Sequence, residues 1–470
     1  MSLGRRKEKQ VDLFIPATQI AKGSGHPFYS KLGEVLRDGG FDTMVEDLCD
    51  PYYKSGGRPG IPPGVYFRMI FIGYFESIDS QRGIAWRCAD SLALRDFLGY
   101  TITEATPVHA SMTIIRQRLD ESVFENVFLF TLKALEKAHL LQGKAFGIDA
   151  TTLEANAAMK TIVRRDNGAD WKDYLKDLAK AEGMEDPGDD DLRRLDRKRK
   201  GKKTSNKEWK SPTDPDSRIT KMKDGRTHLA YKAEHTVQLD SEAIIASHVT
   251  HADRGDTQTG PESLVLAEVN SQKAESQTAL AELVADKGYH GNEPIAKYQQ
   301  WGVRTYIPER KQKKRKWTDK PPEYEHAYRA NLRRMKTAKG KQLNRLRSER
   351  VERTFAHICE TGGSRRTWLR GLTQVNNVHH IKCAAYNLGL LLRKKFGMRK
   401  PRNWDEGRWK AVSGPLYYLF TRTVTPTQAT RWLQIPFHCL SKEYIPSTVA
   451  VLRRLVYPLF RFRPNFLTAC

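Results

Sequence analysis

The spacing of apolar residues changes near Lys144, and that change constrains the fold more than any other feature of the chain. Upstream, apolar residues recur at helical spacing in Phe28–Asp38, Pro62–Glu76, Ser80–Leu98 and Ser122–His139, with a further helix expected over Val108–Leu119 after Pro107. Pro62 and Pro63 suit a first helical turn, where a missing N–H costs little, and Ser80 suits an N-cap. Downstream, the runs shorten and become β-rich: Ala145–Ile148, Thr227–Leu239, Ala243–Val249, Ala281–Ala285 and Arg304–Ile307. Helix-like Thr259–Asn270 and Asn292–Gln300 separate the later strands. Strands in direct succession, followed by strands joined through helices, predict a mixed sheet. Its first three strands should be antiparallel and the rest linked by crossovers.

This is the order expected of an RNase H-like fold, of α+β or α/β class, with a mixed five-stranded sheet behind an all-helical N-terminal region. The expected domains are residues 1–143, helical and DNA-binding; residues 144–396, carrying the sheet; and residues 397–470, an extension without a clear period. Two basic insertions are expected in the middle domain, at about 160–225 and 310–343. The first reads as a partly flexible arm, and the second precedes a helix beginning near Asn344. The helix with Arg116 opposite Ile115 and Leu119 makes a helix-turn-helix candidate with its predecessors.

Charge sharpens the reading. Lys and Arg number 80 against 55 Asp and Glu, a net charge of +25. Nearly all of the excess falls in three windows: Arg193–Lys210, with ten basic and two acidic residues; Arg310–Lys320, with seven and one; and Arg329–Arg350, with nine and one. Localised positive charge points to a polyanion, whose counterions such runs displace. The candidate phosphate contacts are Arg116, Arg197, Lys198, Arg199, Lys200, Lys202, Lys203, Lys313, Lys314, Arg315, Arg347, Arg350 and Arg353, with Trp209 and Trp317 as stacking surfaces. No stretch approaches the ~18 apolar residues of a bilayer span. The charged N-terminus lacks a secretory apolar region, so a cytoplasmic, nucleoid-associated location is expected. The six cysteines form no Cys-x-x-Cys pair. His379 and His380 lie a helical turn before Cys383, but the linear spacing completes no zinc site.

Three acids stand where such a sheet gathers metal ligands. Asp149 is read as ending the first strand in Phe146-Gly-Ile-Asp-Ala-Thr, and Asp286 as ending the fourth in Val284-Ala-Asp-Lys-Gly-Tyr, with Gly288 and Gly291 permitting a turn away. Glu352 falls on a helix over Arg345–Cys359, on a face adjacent to the Val351, Phe355 and Ile358 stripe. Hard oxygen ligands select Mg²⁺ or Mn²⁺, and two such ions serve in-line phosphoryl displacement. His290, beside the second acid, is a candidate contact to the scissile region.

The motifs Phe146-Gly-Ile-Asp149-Ala-Thr, Ala285-Asp286-Lys-Gly-Tyr289 and Val351-Glu352-Arg-Thr-Phe355, in that order, resemble those of bacterial insertion-sequence transposases of the DDE class. Asp253-Arg-Gly-Asp-Thr257 and Thr220–His228 look like further members of the pattern, and the resemblance spans roughly residues 12–396. It implies that Asp149, Asp286 and Glu352 are the catalytic, metal-binding triad, with two Mg²⁺ (or Mn²⁺) ions. It also implies an RNase H-like core and a homo-oligomer on double-stranded DNA, both terminal inverted repeats and target. A family signature around the last acid is incomplete here: Arg345, Ser348 and Cys359 stand at its Tyr, Arg and Lys positions, leaving Arg347, Arg350 and Arg353 as candidate substitutes. The expected activity is metal-dependent cleavage at transposon ends with strand transfer. The alternatives are a catalytically inactive, transposase-derived regulator and a standalone nuclease.

Overall fold

The computed structural model describes residues 25–401 apart from 55, 57–59, 199–204, 223 and 311–314. Among the described residues, seven α-helices precede the sheet: α1 (Pro27–Asp38), α2 (Phe41–Cys49), α3 (Pro63–Glu76), α4 (Gln81–Asp90), α5 (Leu92–Leu98), α6 (His109–Arg118) and α7 (Glu121–Lys137). The central one, α3, starts on a proline and is buried on all sides, including Arg68. That guanidinium, which interrupts an otherwise apolar run, pairs with Asp42 of α2 at 2.6 Å and donates to the Phe97 carbonyl. The single helix expected over Ser80–Leu98 is two. Ser91 is extended (φ −107°, ψ 117°), and its hydroxyl caps α5 at Leu94 N just as Ser80 caps α4 at Gly83 N. Helix α2 escaped the sequence reading.

The later elements are β1 (Ala145–Glu154), β2 (Val163–Arg164), α8 (Trp171–Ala181), α9 (Asp189–Lys198), β3 (Trp209–Lys210), β4 (Arg218–Lys221), β5 (Thr227–Gln238), β6 (Ile244–His251), α10 (Asp256–Lys273), β7 (Glu282–Ala285), α11 (Asn292–Gln300), β8 (Arg304–Tyr306), α12 (Pro322–Lys336), α13 (Ala338–Ala356) and α14 (Leu372–Phe396). The five expected strands are present, and their order across the sheet is β6-β5-β1-β7-β8. Strands β6, β5 and β1 pair antiparallel; β7 and β8 run parallel to β1, as crossovers through helices require. A sixth strand, β4, joins the outer edge of β5 beside β6.

Helices α7 and α14 lie together, and α14 also covers β6, so one apolar core runs from Phe28 through α7 and the sheet to Leu392. The described residues of the first insertion carry secondary structure of their own. Strands β2 and β3 pair, Leu175, Ala179, Leu192 and Leu195 close α8 on α9, and Trp209 packs on Trp171 and Tyr174. Trp209 is 2 % exposed, so it is no stacking surface for bases; its apolar area holds this small unit on the sheet. The second insertion contains α12, and the helix expected from Asn344 begins at Ala338, with Thr337 capping Gly340 N at 3.0 Å.

Candidate active site

Strand β1 continues five residues beyond Asp149, because its second half still pairs with β5, from Ala150↔Glu234 to Glu154↔Ala230. Asp149 is therefore within the strand rather than at its end. What ends there is the parallel ladder to β7, whose last register pair is Ile148↔Ala285. Asp149 and Asp286 are each one residue past that pair, so they stand side by side where β7 turns away from β1. Neighbouring strands lie about 4.8 Å apart, which brings two residues 137 positions apart in sequence onto adjacent backbones.

The turn after β7 is shaped by Asp286 itself. Its Oδ1 accepts from Gly288 N at 2.6 Å and caps the 3₁₀ turn Lys287–Tyr289. At Gly288 a Cβ would meet the carboxylate oxygens of both Asp286 and Asp256, so the glycine leaves room for these acids to approach the turn. Helix α13 delivers the third acid across β1. Gly147 offers no side chain, and Val351 and Arg347 of α13 lie where its Cβ would be. Val351, Phe355 and Ile358 are buried as expected, while Glu352 is exposed and accepts from Ser348 Oγ at 3.0 Å. Helix α13 then widens into a π-helical turn, His357–Thr361.

Asp149 accepts from Ala150 N at 2.8 Å through Oδ1 and from Arg347 at 2.9 Å through Oδ2. Burial pushes its carboxyl above the ordinary range. Arg347 and the Ala150 N–H oppose that rise, and the negative charges of Asp286 and Glu352 add to it. The three acids thus share one electrostatic neighbourhood around a carboxylate that lacks sufficient positive charge. They are not drawn as close as ligands on one ion. Among the described residues, the group of three ligating side chains whose donor atoms all lie within 4.8 Å of one another is His235, His379 and Cys383, elsewhere in the core. Hard oxygen donors with a guanidinium as stand-in cation fit a divalent metal.

The structure sorts the other candidates. Arg347, 12 % exposed in its side chain, is the guanidinium beside the acids. Arg350 donates to the carbonyls of Leu239 and Asp240, and Arg353 pairs with Glu242 and Glu349, so both clamp the β5–β6 turn to α13. Arg315 pairs with Glu309 at 2.6 Å, donates to Asn292, lies 3.4 Å from His290 Nδ1 and covers the Tyr328 ring, tying the second insertion to the loop after Asp286. Trp317 joins that group at 5.2 Å from Tyr328. Burial pushes His290 below its ordinary range. Arg116 turns inward to Gln374 Oε1 at 3.1 Å. Arg197 and Lys198 close α9. Arg199, Lys200, Lys202, Lys203, Lys313 and Lys314 lie outside the described residues, as does the extension from residue 402.

Sequence reasoning missed Lys232 and Glu234, and held Asp256 only as part of the Asp253–Thr257 motif. Lys232 Nζ meets Asp256 at 2.7 Å and Glu234 at 3.3 Å, and Tyr289, three residues after Asp286, donates to Glu234 at 2.9 Å. Alternation along β5 carried the signal, since its polar residues fall in positions buried on both faces.

A transposase domain family (DUF772) matches residues 17–118, and a transposase DDE domain family matches residues 308–392, which include Glu352. No curated protein and no solved structure matches the chain. Together with the mixed sheet, the two domains define an enzyme of the DDE class that acts on DNA and uses a divalent metal. Both matched families are transposase domains, and they support a DNA transposase function for the chain. Among the described residues, no helix is long and apolar enough to cross a membrane.

Proposed function

We propose that Asp149, Asp286 and Glu352 are the catalytic triad of this transposase, on a sheet of RNase H-like topology. The observation that carries this is the register: Asp149 and Asp286 each follow the last β1–β7 pair, with α13 seated over Gly147 to bring Glu352 to the same edge. The strand order β6-β5-β1-β7-β8 supports the fold assignment.

The three carboxylates would hold two Mg²⁺ (or Mn²⁺) ions, which when bound supply Lewis acidity to the attacking and leaving oxygens. Asp149 and Asp286 orient the scissile phosphate from the sheet, and Glu352 closes the set from the helix. Arg347, released from Asp149, pairs with a phosphate of the same strand. Water attacks the phosphodiester at the end of a terminal inverted repeat, the P–O3′ bond breaks, and the 3′-hydroxyl is freed. That hydroxyl then attacks a target phosphodiester, forming one P–O bond as another breaks, with no covalent protein–DNA intermediate. The basic insertions neutralise the two duplexes, and more than one subunit brings two ends together at the nucleoid.

The test is incubation of the full chain with linear duplex carrying the element's flanking ends, in Mg²⁺ or EDTA, with cut and joined products mapped. Asp149→Ala, Asp286→Ala and Glu352→Ala should each lower cleavage by on the order of 10³-fold while DNA binding persists. Cleavage without joined product would make the protein a nuclease. Undiminished activity in Asp149→Ala would remove the triad.

A further inference from the structure

His379 and Cys383 are four residues apart on α14 and so share one face of that helix. In sequence they lack a partner. The fold supplies one from β5: His235, paired directly opposite Asp149 and stacked on Phe355 of α13 with ring centres 4.1 Å apart. The three side chains are buried, 2 % exposed at most. His235 Nε2 lies 2.9 Å from His379 Nε2 and 3.6 Å from Cys383 Sγ.

The tautomer of His235 follows from its other nitrogen. Thr354 Oγ1 gives its proton to the Val351 carbonyl at 2.8 Å and therefore accepts from His235 Nδ1 at 3.0 Å. The Nε2 lone pair is thus aimed at His379 and Cys383, with a hydroxyl holding the ring, as an outer partner holds a ligating histidine. Tetrahedral zinc, with bonds of about 2.0–2.1 Å to nitrogen and 2.3 Å to sulfur, places two such nitrogens roughly 3.3 Å apart and nitrogen and sulfur roughly 3.6 Å apart. The nitrogen–sulfur spacing already matches, and the nitrogens need to part by a few tenths of an ångström. A proton shared between the imidazoles accounts for their contact with each other, and the thiol donates to Ser247 Oγ at 3.3 Å; an ion would draw all three ligand atoms together.

We infer that His235, His379 and Cys383 form a buried site for one borderline-soft divalent cation of the zinc class, separate from the hard-oxygen site at Asp149. His379 also lines a cavity of about 570 Å³ between α3, α4, α6 and residues 362–369, which offers an entry path and water for a fourth position. Bound there, the ion ties β5 to α14 directly behind the residues that carry Asp149 and Glu352.

The full chain, stripped with a chelator and titrated with Co²⁺, tests this. One equivalent should produce tetrahedral visible bands and a near-ultraviolet sulfur-to-cobalt band, both displaced by Zn²⁺. The sulfur band should persist in Asp149→Asn and in a variant with Cys439 and Cys470 replaced by Ser, and vanish in Cys383→Ser. Should Cys383→Ser not fold, His379→Gln answers the same question, with Co²⁺ uptake weakened by at least about 100-fold. A folded, stripped wild-type chain that takes up Co²⁺ without the sulfur band, or takes up none, overturns the site. So does a sulfur band that survives Cys383→Ser.

Discussion

Glu234 and His235 are consecutive in β5, point to opposite faces of the sheet, and are both buried, yet their surroundings meet them in opposite ways. On the Glu234 face the chain supplies its own cation and donors. Lys232, Thr259, Ser263 and Tyr289 all reach that carboxylate, and Lys232 goes on to Asp256. On the His235 face three ligand atoms converge, and the neighbouring cation, Lys382, donates instead to Ser364 Oγ. Asp149, on β1, is intermediate, with one guanidinium against a carboxyl that burial still holds high. A buried polar group completed by protein charge is structural; one left short of charge is a place for an ion.

The largest test breaks the self-sufficient face. Lys232→Met should cost about 3–5 kcal/mol in urea unfolding, because it leaves Glu234 charged, buried and unpaired. Adding Glu234→Gln should recover part of that loss; strict additivity would show that the two do not act as a unit. On the other face, saturating Zn²⁺ at about 100 Kd should raise the stability of the stripped chain by about 2.7 kcal/mol, and Cys383→Ser should abolish the gain.

Arg347→Met should cost about 1.5–3 kcal/mol at neutral pH in the absence of divalent metal, as a charged hydrogen bond is lost. That penalty exists only while Asp149 is ionised. It should fade as pH falls through the raised carboxyl pKa and be gone once Asp149 is neutral in the folded state of both variants. Mg²⁺ should narrow the gap by replacing the missing cation. The smallest test concerns His357 in the π turn. Burial, with Lys400, Arg393 and Arg353 nearby, lowers it to about 4. Between its unfolded value of about 6.5 and 4 only the unfolded chain takes the proton, so stability should fall as pH drops through that window and level off below it. His357→Gln should flatten this slope, measured by unfolding across the range.

Much of the scaffold is legible in the sequence. The five strands, the helices between them and the buried stripe on α13 follow from periodicity, which is written locally. Where local signals conflicted with packing, the reading slipped. Asp149 looked like a strand end because small polar residues follow it, yet pairing with β5 carries the strand on to Glu154. Trp209 looked available to stack because basic residues surround it, but its indole is the apolar centre of the first insertion. Arg350 and Arg353 looked equivalent to Arg347 in spacing, and only the position of the β5–β6 turn separates their roles.

The residue pattern by itself determined the order of elements, the three acids in their motifs, and the concentration of positive charge in the middle of the chain, since each is a property of neighbours in sequence. Tertiary structure alone decided that Asp149 stands beside Asp286, that Arg347 is its counter-ion, and that His235 completes a trio with His379 and Cys383. Those pairings join residues more than a hundred positions apart. They depend on strand register and on how closely a helix can approach a glycine, and neither quantity is encoded in any short stretch of chain.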